Sequence, residues 1–459
     1  MQTLGITHGV CEECRTIVPA KVVAGPDGVY LCKFCPEHGE SLSLVRSSVD
    51  DYLQSLRYVK PAWRPARFSG DDKVACPEGC GYCTRHEQHL CLPIVEITSE
   101  CNLACPICIA NAGGRWRMSL GQFKHILDVL IKSERQVDLL NISGGEPLLH
   151  PQLIEFVEEA VSRPEIVRVS ISTNGLKLLE DPALAGKLRE LNTVVSLQFD
   201  GFDDAIYDAL RGRPLLRHKL DILALLDAQN VPTSLVMTAM GGVNEDQFRP
   251  ILDYLFSHQS VVSLMVQPVA FAGRAGTLAK DHKRLTITDV VKALGDAGHP
   301  YVSSADFVPL PCGHPLCFSL SLYLVLDNGK AVSMNRLAHA DTVLDALANR
   351  TVFGLDREEH ERIKQLIYDL WAGPVGAAPD GQDVLKTIRS LLTCSFCSPF
   401  DPRKMFSLVE RRVKSIFVHA FQDAGSFDLA RVRRCCNAYP QPDGSLMPAC
   451  VFNVLRRPR

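Results

Sequence analysis

ITSECNLACPICIANAGG, residues 97–114, is the stretch on which the reading of this chain turns. An apolar strand, PIVEITS at 93–99, runs into a loop carrying Cys101, Cys105 and Cys108. Cysteines at such short spacing mean metal before they mean inert packing. A cubic 4Fe-4S cluster normally takes four thiolates. Three thiolates from one loop therefore leave one iron open to another ligand. Structural zinc prefers four complete ligands, which this loop does not supply. The loop also follows the C-terminal end of a strand, the end at which α/β barrels place their chemistry.

Outward from this loop, strands and helices alternate from 93 to about 300. Strand patterns fall at 93–99, 137–143, 167–173, 193–199, 232–238 and 261–267. Helical patterns fall at 118–134, 153–162, 182–191, 215–230 and 244–258. Several strands are near-continuous apolar runs, as expected of a parallel sheet covered on both faces. Six such units predict an α/β fold, an open partial (β/α)6 barrel rather than a closed one. Beyond 300 the alternation stops. Residues 317–334 read as a hairpin with Asp-Asn-Gly at the turn. Residues 342–350 and 357–373 read as helices, and 373–383 as a loop.

The chain has 459 residues, 18 of them cysteine, and a formal net charge of -3. That charge gives no reason to expect a nucleic-acid partner. No apolar run is long enough to span a membrane, and MQTLGITHGV lacks the pattern of a signal peptide. The expected location is cytoplasmic, where thiols stay reduced. The expected organisation is a four-cysteine module at 1–45, a linker and cysteine-rich segment at 46–92, the barrel at 93–300, and a second cysteine-rich region at 301–459.

The N-terminal cysteines are Cys11, Cys14, Cys32 and Cys35, two Cys-x2-Cys pairs of the kind that hold a tetrahedral ion. The sequence leaves zinc and a single rubredoxin-like iron both open. His38 follows closely and is expected beside a complete four-thiolate site. Cys76, Cys80, Cys83 and Cys91 form a set of four suited to a closed 4Fe-4S cluster. His86 and His89 lie among them and are expected to pack rather than ligate. Cys312, Cys317, Cys394, Cys397, Cys435, Cys436 and Cys450 offer ligands for one more cluster. Adjacent Cys435 and Cys436 point in different directions, so one site is not expected to use both.

Three further stretches end strands on the same face as the first loop. NISGGEP at 141–147 places Gly144 and Gly145 where a backbone can approach a ligand, with Glu146 next to them. ISTNG at 171–175 supplies Ser172 and Asn174, and QFDG at 198–201 supplies Gln198 and Asp200. These four polar side chains suit ligand binding, and they are also common turn residues.

The cysteine triad and the GGE stretch resemble the radical S-adenosylmethionine (SAM) superfamily. Ile107 stands where many members carry an aromatic residue; an aliphatic side chain can also give the cluster apolar cover. The resemblance implies that the open iron chelates the amino and carboxylate groups of SAM. An electron from the cluster then breaks the sulfonium S–C5′ bond, giving a 5′-deoxyadenosyl radical. It assigns the GGE stretch to the SAM amino group, and leaves Ser172, Asn174, Gln198 and Asp200 for SAM or the substrate.

A longer likeness covers nearly the whole chain. LCKFCPEHGE (31–40), CPEGCGYCTRHEQHLC (76–91), ECNLACPIC (100–108), PCGHPLCF (311–318) and FQDAGSFDLARVRRCCNAYPQPDGSLMPACVFN (421–453) occur in order. Together they look like the subfamily of the archaeal tetraether lipid synthase and its bacterial relatives. That likeness implies one mononuclear iron or zinc, the SAM-cleaving cluster, and one or two auxiliary 4Fe-4S clusters. The leading expectation is hydrogen abstraction and carbon–carbon coupling of lipid alkyl chains. The alternative is a methyltransferase acting on a pterin or a similar small molecule, because the same subfamily includes such an assignment. A non-catalytic electron carrier would need neither the barrel nor the GGE stretch. The expected partners are a lipid or small-molecule substrate and a reductant such as flavodoxin or ferredoxin. Peripheral contact with the inner membrane face rests on the basic, aromatic segments at 45–68 and 411–427, for which an ordinary solvated helix face with a core side is the favoured reading.

Overall fold

The computed structural model describes residues 1–279, 281–310, 312–337, 381–396, 403, 407 and 409–457, without the side chains of 391–396. The helices expected at 342–350 and 357–373 lie outside the described residues.

Six parallel strands carry the barrel: β5 (Leu92–Glu96), β6 (Val137–Ser143), β7 (Ile166–Thr173), β8 (Val194–Gln198), β9 (Thr233–Ala239) and β10 (Val261–Pro268). They lie side by side in chain order. Each connection returns through helix, as parallel neighbours require. These helices include α2 (Leu120–Glu134), α3 (Leu153–Ser162), α4 (Leu176–Glu180), α5 (Ala183–Glu190), α6 (Asp204–Arg211), α7 (Leu216–Ala228) and α8 (Phe248–Ser257); α1 (Val49–Leu56) precedes the barrel and α9 (Ile287–Asp296) follows it. The fold is therefore the expected α/β arrangement, an open partial (β/α)6 barrel.

Local sequence explains the boundaries. Ser119 caps α2 by accepting from the Gln122 N–H, and the Gln122 side chain accepts from the Ser119 N–H in return. Phe123, Ile126, Leu127 and Leu130 then fall on one buried face. The Phe123 ring meets Phe156 of α3 edge to face, 4.7 Å between centroids. Arg135 ends the helix at φ 63°.

The region after 300 adds strands to this same sheet. β11 (Phe318–Val325) and β12 (Ala331–Ser333) form the expected hairpin, with Gly329 at φ 81° in its turn. β13 (Val413–His419) inserts between β10 and β11, parallel to β10. β14 (Asn437–Pro440) pairs with β5 at the opposite edge and carries β15 (Leu446–Pro448) beyond it. Among the described residues the sheet thus has eleven strands and stays open.

β13 corrects the reading of 411–427 as a helix face. VKSIFVH alternates, so Lys414, Ile416 and Val418 enter the core. Lys414 is tolerated there because Nζ donates to the His258 and Val261 carbonyls, at 2.8 and 2.5 Å. This stretch is core rather than a membrane-facing surface. In the other segment, α1 is capped by Ser48 and buries Tyr52 and Ser55. No helix among the described residues is long and apolar enough to cross a membrane.

At the N-terminus, β1 (Gln2–Val10), β2 (Ile17–Gly25), β3 (Gly28–Cys35) and β4 (Gly39–Arg46) form a separate antiparallel sheet. It docks on the C-terminal region through Thr7, whose Oγ1 donates to Asp428 at 2.5 Å. Lys33, buried, donates to the Ala424 and Gly425 carbonyls and to Glu12.

Candidate active site and metal centres

Cys101, Cys105 and Cys108 sit on the loop between β5 and α2, at the C-terminal end of the first parallel strand. Arg274 holds this loop from the far side of the barrel. Its Nε donates to the Cys105 carbonyl at 2.9 Å, its Nη1 to Ala112 at 2.7 Å, and its backbone N–H to Cys108 at 3.0 Å. Neighbouring Gly273 lies at φ 57°, and a Cβ there would come within 2.6 Å of the Cys108 carbonyl. Burial pushes the Cys101 thiol up to about 11. Iron must displace that proton, so binding and deprotonation are coupled.

The GGE stretch closes over the same loop. A Cβ on Gly144 would lie 2.3 Å from the Thr98 carbonyl, and one on Gly145 would lie 2.1 Å from that of Glu100. The Gly145 and Glu146 N–H groups donate to Thr98 and Glu100, each at 2.7 Å. Three thiols on one loop under a backbone cradle with no room for side chains suit a cluster with an exposed iron and a small ligand.

The polar residues chosen from sequence come together here, with their partners already taken up. Glu146 is buried, and its carboxylate accepts from Leu148 N–H, Thr173 Oγ1 and Asn174 N–H at 3.0, 2.6 and 2.7 Å. It therefore ties the end of β6 to the end of β7. Ser172 donates to Asn141 at 3.1 Å, and Asn174 Nδ2 reaches Asn102 on the cysteine loop at 2.7 Å. Asp200 is fully buried and receives Arg211 in two parallel bonds, at 2.7 and 2.8 Å. Gln198 donates to Asp200 and accepts from Lys219 at 2.7 Å.

Sequence reasoning passed over Arg211 and Lys219, which lie on α6 and α7 rather than on strand-end loops. Burial drives Lys219 down to about 7, helped by nearby Arg211. A mostly covered arginine and a fully buried lysine beside Asp200 and Glu146 mark a candidate site. The signal available in the sequence was a lysine on the apolar side of α7, spaced with Ile222, Leu223 and Leu226.

The other cysteines divide differently from the expected sets. Cys11, Cys14, Cys35 and His38 bring their ligand atoms within 4.8 Å of one another. Cys32 lies apart, and its thiol donates to Glu40 at 2.9 Å. Three residues along an extended strand reverse the side-chain direction, so Cys32 and Cys35 face opposite ways. His38 takes the fourth place. Cys91 also leaves its expected set: its N–H donates to the Cys436 carbonyl at 2.9 Å, which fixes it beside β14. Its sulfur gathers with those of Cys312 and Cys436 within 4.8 Å. Cys76 and Cys80 remain neighbours, and the Cys80 thiol holds that of Cys76 down to about 6. Cys83 is buried against Gly70. Cys317, Cys435 and Cys450 line one cavity with His314, His419 and Arg431. Cys397 and the side chain of Cys394 lie outside the described residues.

Residues 95–255 match the model of the radical SAM superfamily. The chain carries a radical SAM domain. The chain is an enzyme. Residues 3–47 match the model of the HMPTM N-terminal zinc ribbon domain. Over 98% of its length, and 94% of the relative's, the chain is 26% identical to 7,8-dihydro-6-hydroxymethylpterin dimethyltransferase of Methanocaldococcus jannaschii. It is 34% identical to a mycofactocin maturase of Mycobacterium tuberculosis, across 33% of this chain and 39% of the maturase. Among solved structures it is similar to methylornithine synthase, with a TM-score of 0.34 and 19% identity over 45% of this chain and 63% of that one.

Proposed function

We propose that this radical SAM enzyme is a methyltransferase acting on a pterin or a similar small heterocycle. The observation that carries the reading is the likeness to a pterin dimethyltransferase along nearly the full length of both chains. The cysteine loop under Gly144 and Gly145 supports the radical chemistry. A 4Fe-4S cluster held by Cys101, Cys105 and Cys108 would supply the electron that cleaves one SAM to methionine and the hydrogen-abstracting 5′-deoxyadenosyl group, while a second SAM would give its methyl and leave as S-adenosylhomocysteine, with dithionite supplying the two electrons used per methyl.

The chain's own residues do the positioning. Arg274 fixes the loop that bears the thiols. Glu146 and Asn174 couple the GGE stretch and the third strand to that loop. Arg211 places positive charge under the site, with Lys219 hydrogen-bonded beside it. Cys11, Cys14, Cys35 and His38 hold a structural ion, with the zinc ribbon likeness favouring zinc. The two thiol groups near β14 and β11, Cys91–Cys312–Cys436 and Cys317–Cys435–Cys450, hold auxiliary centres. Lipid-chain coupling has no observation of its own, since the 411–427 segment that pointed to a membrane is a core strand.

The experiment is anaerobic turnover with 7,8-dihydro-6-hydroxymethylpterin, SAM and dithionite. The expected products are 5′-deoxyadenosine, methionine, a pterin heavier by one or two methyl groups and one S-adenosylhomocysteine per methyl, followed by mass spectrometry. 5′-Deoxyadenosine formed with the pterin unchanged, and an alkyl-coupled lipid formed when phospholipid is supplied instead, would reverse the choice of substrate.

A further inference from the structure

We infer that Cys91, Cys312, Cys436 and His89 form one metal centre of three thiolates and one imidazole, with Glu134 orienting the histidine. The inference deepens the auxiliary-centre reading above and rests on it. Three fully buried thiols converge within 4.8 Å. Thiolates packed that closely repel one another and ionise together only around a cation. His89 Nε2 lies 3.5 Å from the Cys91 sulfur and outside the 4.8 Å group of the three thiols, so it would move toward Cys312 and Cys436 as the ion binds. Metal–sulfur and metal–nitrogen bonds of about 2.3 and 2.0 Å at a tetrahedral angle put sulfur and nitrogen about 3.5 Å apart.

The opposite edge of the ring argues the same way. His89 Nδ1 lies 3.3 Å from Glu134 Oε2, at the last residue of α2. Glu134 is itself fixed, accepting from Leu90 N–H at 3.2 Å and from Ser133 Oγ at 2.6 Å. A carboxylate on Nδ1–H selects the tautomer whose Nε2 lone pair faces the thiols, the usual partner arrangement of a ligating histidine. His86, by contrast, turns its Nε2 to the Cys435 carbonyl at 2.8 Å and packs at a tilt against Tyr82, so it is no ligand. The donor set suits a single four-coordinate zinc or iron ion, or a 4Fe-4S cluster with one nitrogen ligand. In the cluster form the sulfurs move apart to reach separate irons.

The test uses the full-length protein, anaerobically reconstituted with iron and sulfide. Iron and zinc are counted in wild type, Cys312→Ser, His89→Ala and His89→Cys. Pulsed EPR of the reduced protein reads directly bound nitrogen in a cluster; Co2+ replacement and optical spectra read it at a single ion. Cys312→Ser is expected to lose one centre and leave the Cys101–Cys105–Cys108 cluster in place. His89→Cys is expected to keep the centre and lose its nitrogen signature, which guards against misfolding of His89→Ala. Unchanged metal content in Cys312→Ser would overturn the auxiliary centre itself. A centre that is lost in Cys312→Ser yet shows the same spectrum in wild type and His89→Cys would overturn the histidine alone.

Discussion

Single residues here work mostly by what they leave no room for, or by what they neutralise. Gly145 is the clearest case, because a Cβ would lie 2.1 Å from the Glu100 carbonyl. Gly145→Ala must therefore displace the cysteine loop; overpacking of this kind costs about 1–3 kcal/mol. It is expected to weaken SAM binding by at least about tenfold in calorimetry, with metal at Cys11, Cys14, Cys35 and His38 unchanged. Asp200 is the second case. Asp200→Asn leaves the mostly covered Arg211 without its carboxylate, a loss of up to about 3 kcal/mol that chemical denaturation would read. His86 gives a pH prediction. Burial lowers it from 6.5 to about 4, so it folds neutral while the unfolded chain takes a proton below 6.5. Stability is full above that value and falls as pH drops toward 4. Between pH 7.5 and 5.5 the loss is about 1.4 kcal/mol, and His86→Gln should flatten that part of the pH profile of unfolding. The triad and the glycines were legible because their spacing is local. The roles of Asp200 and Glu146 were not, since Arg211 and Thr173 reach them only in the folded chain.

Elements were readable where periodicity was strong. All six barrel strands fall within a residue or three of their expected bounds, because buried parallel strands are short apolar runs between helices. The cap of α2 carries its own prediction: Ser119→Ala removes one half of a reciprocal cap and should cost about 1 kcal/mol in thermal unfolding. β13 was missed for a physical reason. Its buried face includes Lys414, a residue that reads as solvent-facing until the His258 and Val261 carbonyls are seen to receive it. The N-terminal module was read as rubredoxin-like or zinc-ribbon-like from cysteine spacing alone, an error only in that the four antiparallel strands presenting the thiols went unplaced. The same error joined Cys32 to Cys35, where strand alternation separates them.

Across the whole molecule, the late part of the chain wraps back onto the early part. β14 pairs with β5, and the N-terminal sheet rests on residues 424–428. Sequence places such regions in separate blocks because pairing between distant segments leaves no local signal. Removing the N-terminal ion, by Cys14→Ser, is therefore expected to lower the melting temperature of the whole protein, by several degrees, while 5′-deoxyadenosine formation persists. That formation is also the most direct test of the account. The reconstituted protein is given SAM and dithionite without oxygen, and 5′-deoxyadenosine is quantified by mass spectrometry. The account predicts its accumulation in wild type and its loss when Cys101, Cys105 and Cys108 are replaced by alanine. An iron-loaded wild type that forms none would contradict it.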